Sequence, residues 1–146
     1  MFTKFKDYFK KSPEPELTET QKEIDKNLYD SVKDQDYWKF LDAIKKGGNP
    51  NQDNYSEEEI SQSPYHTIYT LLMTAINWSN WKMVDELIEN GADVYHQVDD
   101  DFDVFDWANK TTQLRDRPKI KQVFLKYHPD FFEEREMRKN ANKYNL

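Results

Sequence analysis

Five aspartates within eight residues, Asp99, Asp100, Asp101, Asp103 and Asp106, are the densest group of side chains here that could do chemistry. Clustered carboxylates can hold a divalent cation, or act as an acid and base pair if a pocket raises the pKa of one of them. Asp99-x-Asp101-x-Asp103 opens with the spacing of a calcium loop. The sixth place is then Val104 where the loop needs Gly, and the twelfth is Lys110 where it needs a bidentate Glu. No metal is expected on that ground. The cluster reads as an exposed hairpin without a pocket, with Asp106 as a cap or brace for the helix that follows. An enzyme or metal-binding protein using Asp99 to Asp106 is kept as the less favoured alternative.

The other chemically capable residues are scattered. His66, His96 and His128 lie 30 and 32 residues apart, which would bring one per unit together in a repeat protein, but their local contexts differ too much for a shared metal site. Arg115, Arg117, Lys119 and Lys121 form the one basic group that could meet nucleic acid, set against a reading as the solvated face of a helix. No P-loop, dinucleotide fingerprint, H-E-x-x-H or nucleophile motif occurs. Neither an enzyme nor a cofactor is therefore expected. Trp78 and Trp81 flank Ser79 and Asn80 in a short polar turn. Two indoles are hard to bury together there, so at least one is expected to be exposed for recognition.

The elements that must position these residues follow from composition and pattern. At 146 residues with 36% hydrophobic and 15% aromatic side chains, the chain has the makings of one domain with a substantial core. It has no cysteine, which excludes disulfides, thiolate chemistry and cysteine zinc sites. No run of about 18 apolar residues occurs, and the N-terminus lacks an apolar signal core, so a cytoplasmic protein is expected. The net charge of −7 is uneven: residues 12–110 carry 22 acidic and eight basic side chains, net −14, while residues 1–11 carry net +3 and residues 111–146 net +4. An acidic body repels a phosphate backbone and attracts a basic protein surface.

Residues 1–15 are a basic aromatic segment and linker, with Phe2, Phe5 and Phe9 at helical spacing and Pro13 and Pro15 after them. Such a segment can pack on the domain, meet a partner or lie on an anionic membrane. Thr18, with Gln21 three residues on, suggests a capping box for a helix through the 20s bearing Leu28, Tyr29 and Val32. A second helix takes Tyr37, Phe40, Leu41 and Ile44 and stops at Gly47 and Gly48. A polar insert at about 52–66 includes Tyr55, Glu57, Glu58 and Glu59, and its length suggests a lid, a binding loop or disorder. Thr70 is a plausible cap for a helix with Leu72, Met73, Ala75 and Ile76. After the turn comes a helix with Met83, Val84, Leu87 and Ile88, closed by a left-handed cap at Gly91. Tyr95 to Phe102 form an extended turn. A third pair places Val104, Phe105, Trp107 and Ala108 before a stretched connection and Ile120, Val123, Phe124 and Tyr127 after it. Phe131 to Lys139 make a terminal helix, and residues 141–146 a tail.

Two features carry a family likeness. Ala75 with Glu89-Asn90-Gly91-Ala92-Asp93-Val94 looks like the helix-ending G-A-D-V of the ankyrin repeat, and Thr70-Leu71-Leu72-Met73 stands where that family has T-P-L-H. Leu28 to Gly47 match Leu72 to Gly91 without a gap, and Asp103 to Ala108 start a looser third copy. Residues 26–130 thus resemble a divergent ankyrin repeat protein, departing at Leu71, at Met73 and in the insert. The resemblance implies an all-α solenoid of about three helix-turn-helix repeats over residues 16–140, with a terminal capping helix. It also implies protein binding along the hairpin tips and inner helices.

The function expected is that of a protein-binding module that acts stoichiometrically and inhibits or neutralises a basic partner, as an immunity protein or inhibitor does. A non-inhibitory scaffold subunit is the alternative. The expected contact residues are Trp78, Asn80, Trp81, Tyr95, His96, Asp99, Asp100, Asp101 and Phe102, with Tyr55, Glu57, Glu58 and Glu59 from the insert. The partner is expected to be a protein rather than nucleic acid, with residues 1–11 as an alternative point of membrane contact.

Overall fold

Helices in this chain begin where a side-chain oxygen can accept one of the backbone N–H groups that a first turn leaves without a partner. The computed structural model describes residues 19–52 and 70–144. In α1 (Gln21–Asp34) the acceptor is Thr20 Oγ1, 3.2 Å from Glu23 N. Thr18, the residue expected in that role, lies outside the described residues, and the hydroxyl three positions before Glu23 takes the cap. Asp36 caps α2 (Tyr37–Lys45), Thr70 caps α3 (Leu71–Asn77) as expected, and Asn80 caps α4 (Trp81–Glu89). Strands β1 (Gln97–Asp99) and β2 (Phe102–Asp103) pair antiparallel, with Gln97 opposite Asp103 and Asp99 opposite Phe102. Asp103 then caps α5 (Val104–Thr111). A 3-10 turn at Leu114–Asp116 leads into α6 (Arg117–Tyr127), where Pro118 sits in the first turn and its missing N–H costs nothing. The last helix is α7 (Phe131–Tyr144).

Four helix ends close by the same left-handed turn, at Gln35, Gly47, Ser79 and Gly91, with φ of 59°, 89°, 53° and 98°. In each, the next residue's N–H reaches back to a carbonyl five positions earlier: Asp36 to Ser31, Gly48 to Ala43, Asn80 to Ala75 and Ala92 to Leu87, all at 2.9–3.0 Å. This is the Schellman geometry. Gln35 and Ser79 stand 44 positions apart, as do Gly47 and Gly91. That is the offset at which Leu28–Gly47 matches Leu72–Gly91, so the repeat is one of backbone geometry as well as residue type.

Helices pair as α1 with α2, α3 with α4 and α5 with α6, and the pairs lie in a row, α1 against α3, α3 against α5 and α4 against α6. One apolar core runs through the row, from Leu28, Val32 and Phe40 through Leu72, Ile76, Met83 and Leu87 to Trp107, Ile120, Phe124 and Phe131. Each fully buried side chain of this size contributes about 1.5–3 kcal/mol. Polar contacts fix the spacing between pairs. Asp85 on α4 accepts from Lys126 Nζ and Tyr127 Oη on α6, both at 3.0 Å, and this carboxylate holds Lys126 protonated well above its ordinary range. The all-helical class expected from the sequence is the class observed.

The pairs have two distinct ends. At one, the turns inside each pair meet, with Asn80 Nδ2 donating to Gln35 Oε1 at 2.8 Å. At the other, Gln21 Nε2 donates to Gly47 O while Asp25 Oδ1 accepts from Asn49 N. Asn51 repeats both contacts one pair later, donating to Gly91 O and accepting from Asp93 N, each at 2.8 Å. The hairpin projects from this second end.

Candidate functional site

The hairpin takes its shape from both of its neighbours. Asp103 leaves β2 and caps α5 in a full capping box: its Oδ1 accepts from Asp106 N at 3.0 Å, and Asp106 Oδ2 accepts from Asp103 N at 3.2 Å. That leaves Asp100 and Asp101 to make the turn, and Asp101 adopts a left-handed φ of 55°, which Asp tolerates better than most residues. Asp99, Asp100 and Asp101 are all exposed, and with Gln97 they line an open cleft of about 460 Å3.

Two of the five clustered aspartates are not exposed, which corrects the expectation of an exposed hairpin at Asp103 and agrees with Asp106 as a brace. Asp103 is only 2% exposed and Asp106 is half-buried. Arg135 on α7 explains this. Its Nε lies 2.8 Å from Asp103 Oδ2, its Nη2 lies 2.5 Å from Asp106 Oδ1, and its guanidinium stands 5.1 Å from the Phe105 ring centre. Lys139 adds a bond to Asp106 Oδ2 at 3.0 Å and one to Asp101 O at 3.3 Å. Burial pushes the Asp106 carboxyl up. Hydrogen bonds from Lys139 and the Asp103 backbone, with the Arg135 charge, outweigh burial and hold the carboxyl below the ordinary carboxylate range. The carboxylates of Asp103 and Asp106 are thus engaged in docking α7.

The aromatic residues expected at a partner surface are mostly occupied within the fold. Tyr95 is half-buried, stacks on Phe131 with ring centres 5.2 Å apart, and lies under Arg138 at 4.3 Å. Burial, then the charge of Glu134, raises its phenol above the usual range. His96 presents no free imidazole: its Nε2 is buried, with no polar atom in hydrogen-bond range, and its carbonyl accepts from Val104 N at 3.0 Å. Phe102 packs against the core, with Lys110 Nζ 5.8 Å from its ring centre. Tyr55, Glu57, Glu58, Glu59 and His66 lie outside the described residues, as do residues 1–15.

The indole turn is also placed differently. Trp78 is 58% exposed, as expected of one of the two tryptophans, while Trp81 packs against the core. Asn80 is occupied twice, as the cap of α4 and as the donor to Gln35. Trp78 does not border Tyr95, His96 and Phe102. The turn precedes α4 and the hairpin follows it, and nine helical residues put about 13 Å between them. The expected single surface is therefore two.

Comparison with family models, with curated proteins and with solved structures returns no match.

Sequence reasoning missed Arg135, Arg138 and Lys139. Their partners lie 29 to 38 residues away for Arg135 and Lys139, beyond any local pattern. The usable signal was charge: residues 111–146 are net +4 beside an acidic body.

Proposed function

We propose that this chain is a divergent ankyrin-like repeat module whose acidic hairpin end binds a basic protein surface, stoichiometrically and with neutralisation of the partner. The observation that carries the reading is the hairpin itself. Asp99, Asp100 and Asp101 are held out in water on a short turn, while its base is anchored by the α5 capping box and by Arg135 and Lys139. Three carboxylates on a fixed support lose little entropy when they meet cations, and they steer approach from a distance of about a Debye length, roughly 8 Å at physiological salt. The in-phase row of helix pairs supports the repeat assignment. The contact set is reduced to Asp99, Asp100 and Asp101, with Tyr95 and Phe102 as supports from behind.

Reversal of Asp99, Asp100 and Asp101 to Lys together tests the reading. Association with the partner slows and loses its salt dependence, while the chain stays folded at a cost of about 1–2 kcal/mol, because Asp101 holds a left-handed φ that Lys tolerates less well and Asp99 Oδ1 accepts from Asp100 N. An association rate indifferent to both salt and charge reversal overturns it.

A further inference from the structure

The end opposite the hairpin carries a surface of different chemistry. The Asn80–Gln35 bond sets the first two turns side by side, and a cleft of about 410 Å3 lies between the second turn and the α5–α6 connection. Each pair presents one large apolar side chain to water along this edge: Trp38 is 78% exposed, Trp78 58% and Leu114 74%. A single exposed apolar residue needs no explanation. One per pair, at the same end of successive pairs, is a row.

The charge at this edge is opposite in sign to that of the hairpin. Arg115 and Lys119 line the cleft with Ser79, Trp81, Thr112 and Gln113, and Arg117 follows. Asp116 is the carboxylate in the lining, 3.9 Å from the Arg115 Nε, too far for a hydrogen bond that would occupy the guanidinium. Among the described residues, this edge is built from the helix turns.

We propose that this edge binds an acidic peptide segment of another protein that carries a bulky apolar side chain. Its carboxylates meet Arg115 and Lys119 in the cleft, where the planar guanidinium can take a carboxylate with two parallel bonds. The apolar side chain packs on Trp78 and Leu114. A polynucleotide fits less well. It needs cations that track successive phosphates, whereas here only the third pair brings cations together in a cleft, and Lys33, Lys39 and Lys82 at the first two turns are interrupted by Asp34 and Asp36. A short peptide feels the nearby cations within a Debye length; a long polyanion also feels a chain of net charge −7. The proposal does not depend on the hairpin reading, because the two ends are separated by the length of α4.

The test is an NMR titration of the full chain with a short synthetic peptide of glutamates around a central Leu-Phe pair. The indole N–H signals of Trp78 and Trp81 and the amides of residues 112–119 shift. The variant R115E/K119E, whose changes fall on exposed side chains, keeps its melting temperature and binds at least about tenfold more weakly. Trp78→Ala also weakens binding while the fold is kept. Three results overturn the proposal: no shift at this edge, equal peptide binding by the charge-reversed variant, or the same signals moved at lower concentration by an oligothymidylate strand.

Discussion

Arg135 is the residue on which the hairpin end turns. It pairs with Asp103, whose side chain is 3% exposed, and with Asp106, at 25%. Removing one member of a buried pair leaves the other charge without compensation. Arg135→Leu is therefore expected to lower stability by about 2–4 kcal/mol in chemical denaturation, whereas Arg138→Ala, which loses only a stack on Tyr95, costs under about 1 kcal/mol. Equal costs would mean that the pair does not anchor α7. The left-handed turns give a second residue-scale expectation. Ser79 adopts φ 53° with a Cβ, and Gly91 adopts φ 98° with nothing within 4 Å of where a Cβ would stand. Ser79→Gly should stabilise by about 0.5–1 kcal/mol, and Gly91→Ala should destabilise by about 1 kcal/mol through the backbone alone. Thermal melts of the two variants, shifting in opposite directions, check this. Gly47 and Gly91 were legible as helix ends in the sequence because glycine marks that conformation. Gln35 and Ser79 were not, since neither residue type does so, although the 44-residue offset between them, the same as that between Gly47 and Gly91, would have pointed to regular closure.

At the scale of elements, α7 is held to the fold by both rings and charges. Phe131 is buried against Phe124, Phe105 and Tyr95 with ring centres 5.2–5.5 Å apart, while Arg135 and Lys139 fasten its next turns to Asp103 and Asp106. The pH dependence follows from Asp106. Its folded-state pKa lies below its unfolded value, so the unfolded chain takes up the proton first. The stabilisation is complete above about pH 4 and is lost as pH falls through the folded value. Hydrogen exchange along α7 should accelerate below about pH 4 by more than in α3, and Lys139→Met, which removes the strongest influence lowering the Asp106 carboxyl, should reduce that difference; equal protection in α3 and α7 as pH falls would contradict the latch. The helices among the described residues were largely legible, because apolar spacing and capping residues are local signals: Leu72, Met73, Ala75 and Ile76, for example, mark α3 where it is observed. The docking of α7 was illegible because its contacts span about thirty residues. For the same reason Asp103 read as part of the exposed hairpin, when it is buried and joins Asp106, the residue expected as a brace, in clasping α7.

At the scale of the molecule, the row of helix pairs separates two surfaces of opposite charge. The order of the helix pairs produces this separation: the described turns within pairs fall at one end, and the connections between pairs at the other. The sequence shows acidic and basic stretches but not which end each occupies, so Trp78 and Asp99 read as neighbours when α4 holds them apart. Binding of a basic protein by the hairpin end is the claim on which the functional reading rests. Its most direct test is affinity purification from the source cell with the wild-type chain and with the Asp99→Lys, Asp100→Lys, Asp101→Lys variant as parallel baits, with recovered proteins quantified against bait. A protein with a basic surface, recovered at near-equal molar amount with the wild-type chain and lost with the folded variant, is the predicted result. The same protein recovered equally by both baits, or an acidic protein or nucleic acid as the main species lost on charge reversal, would contradict it.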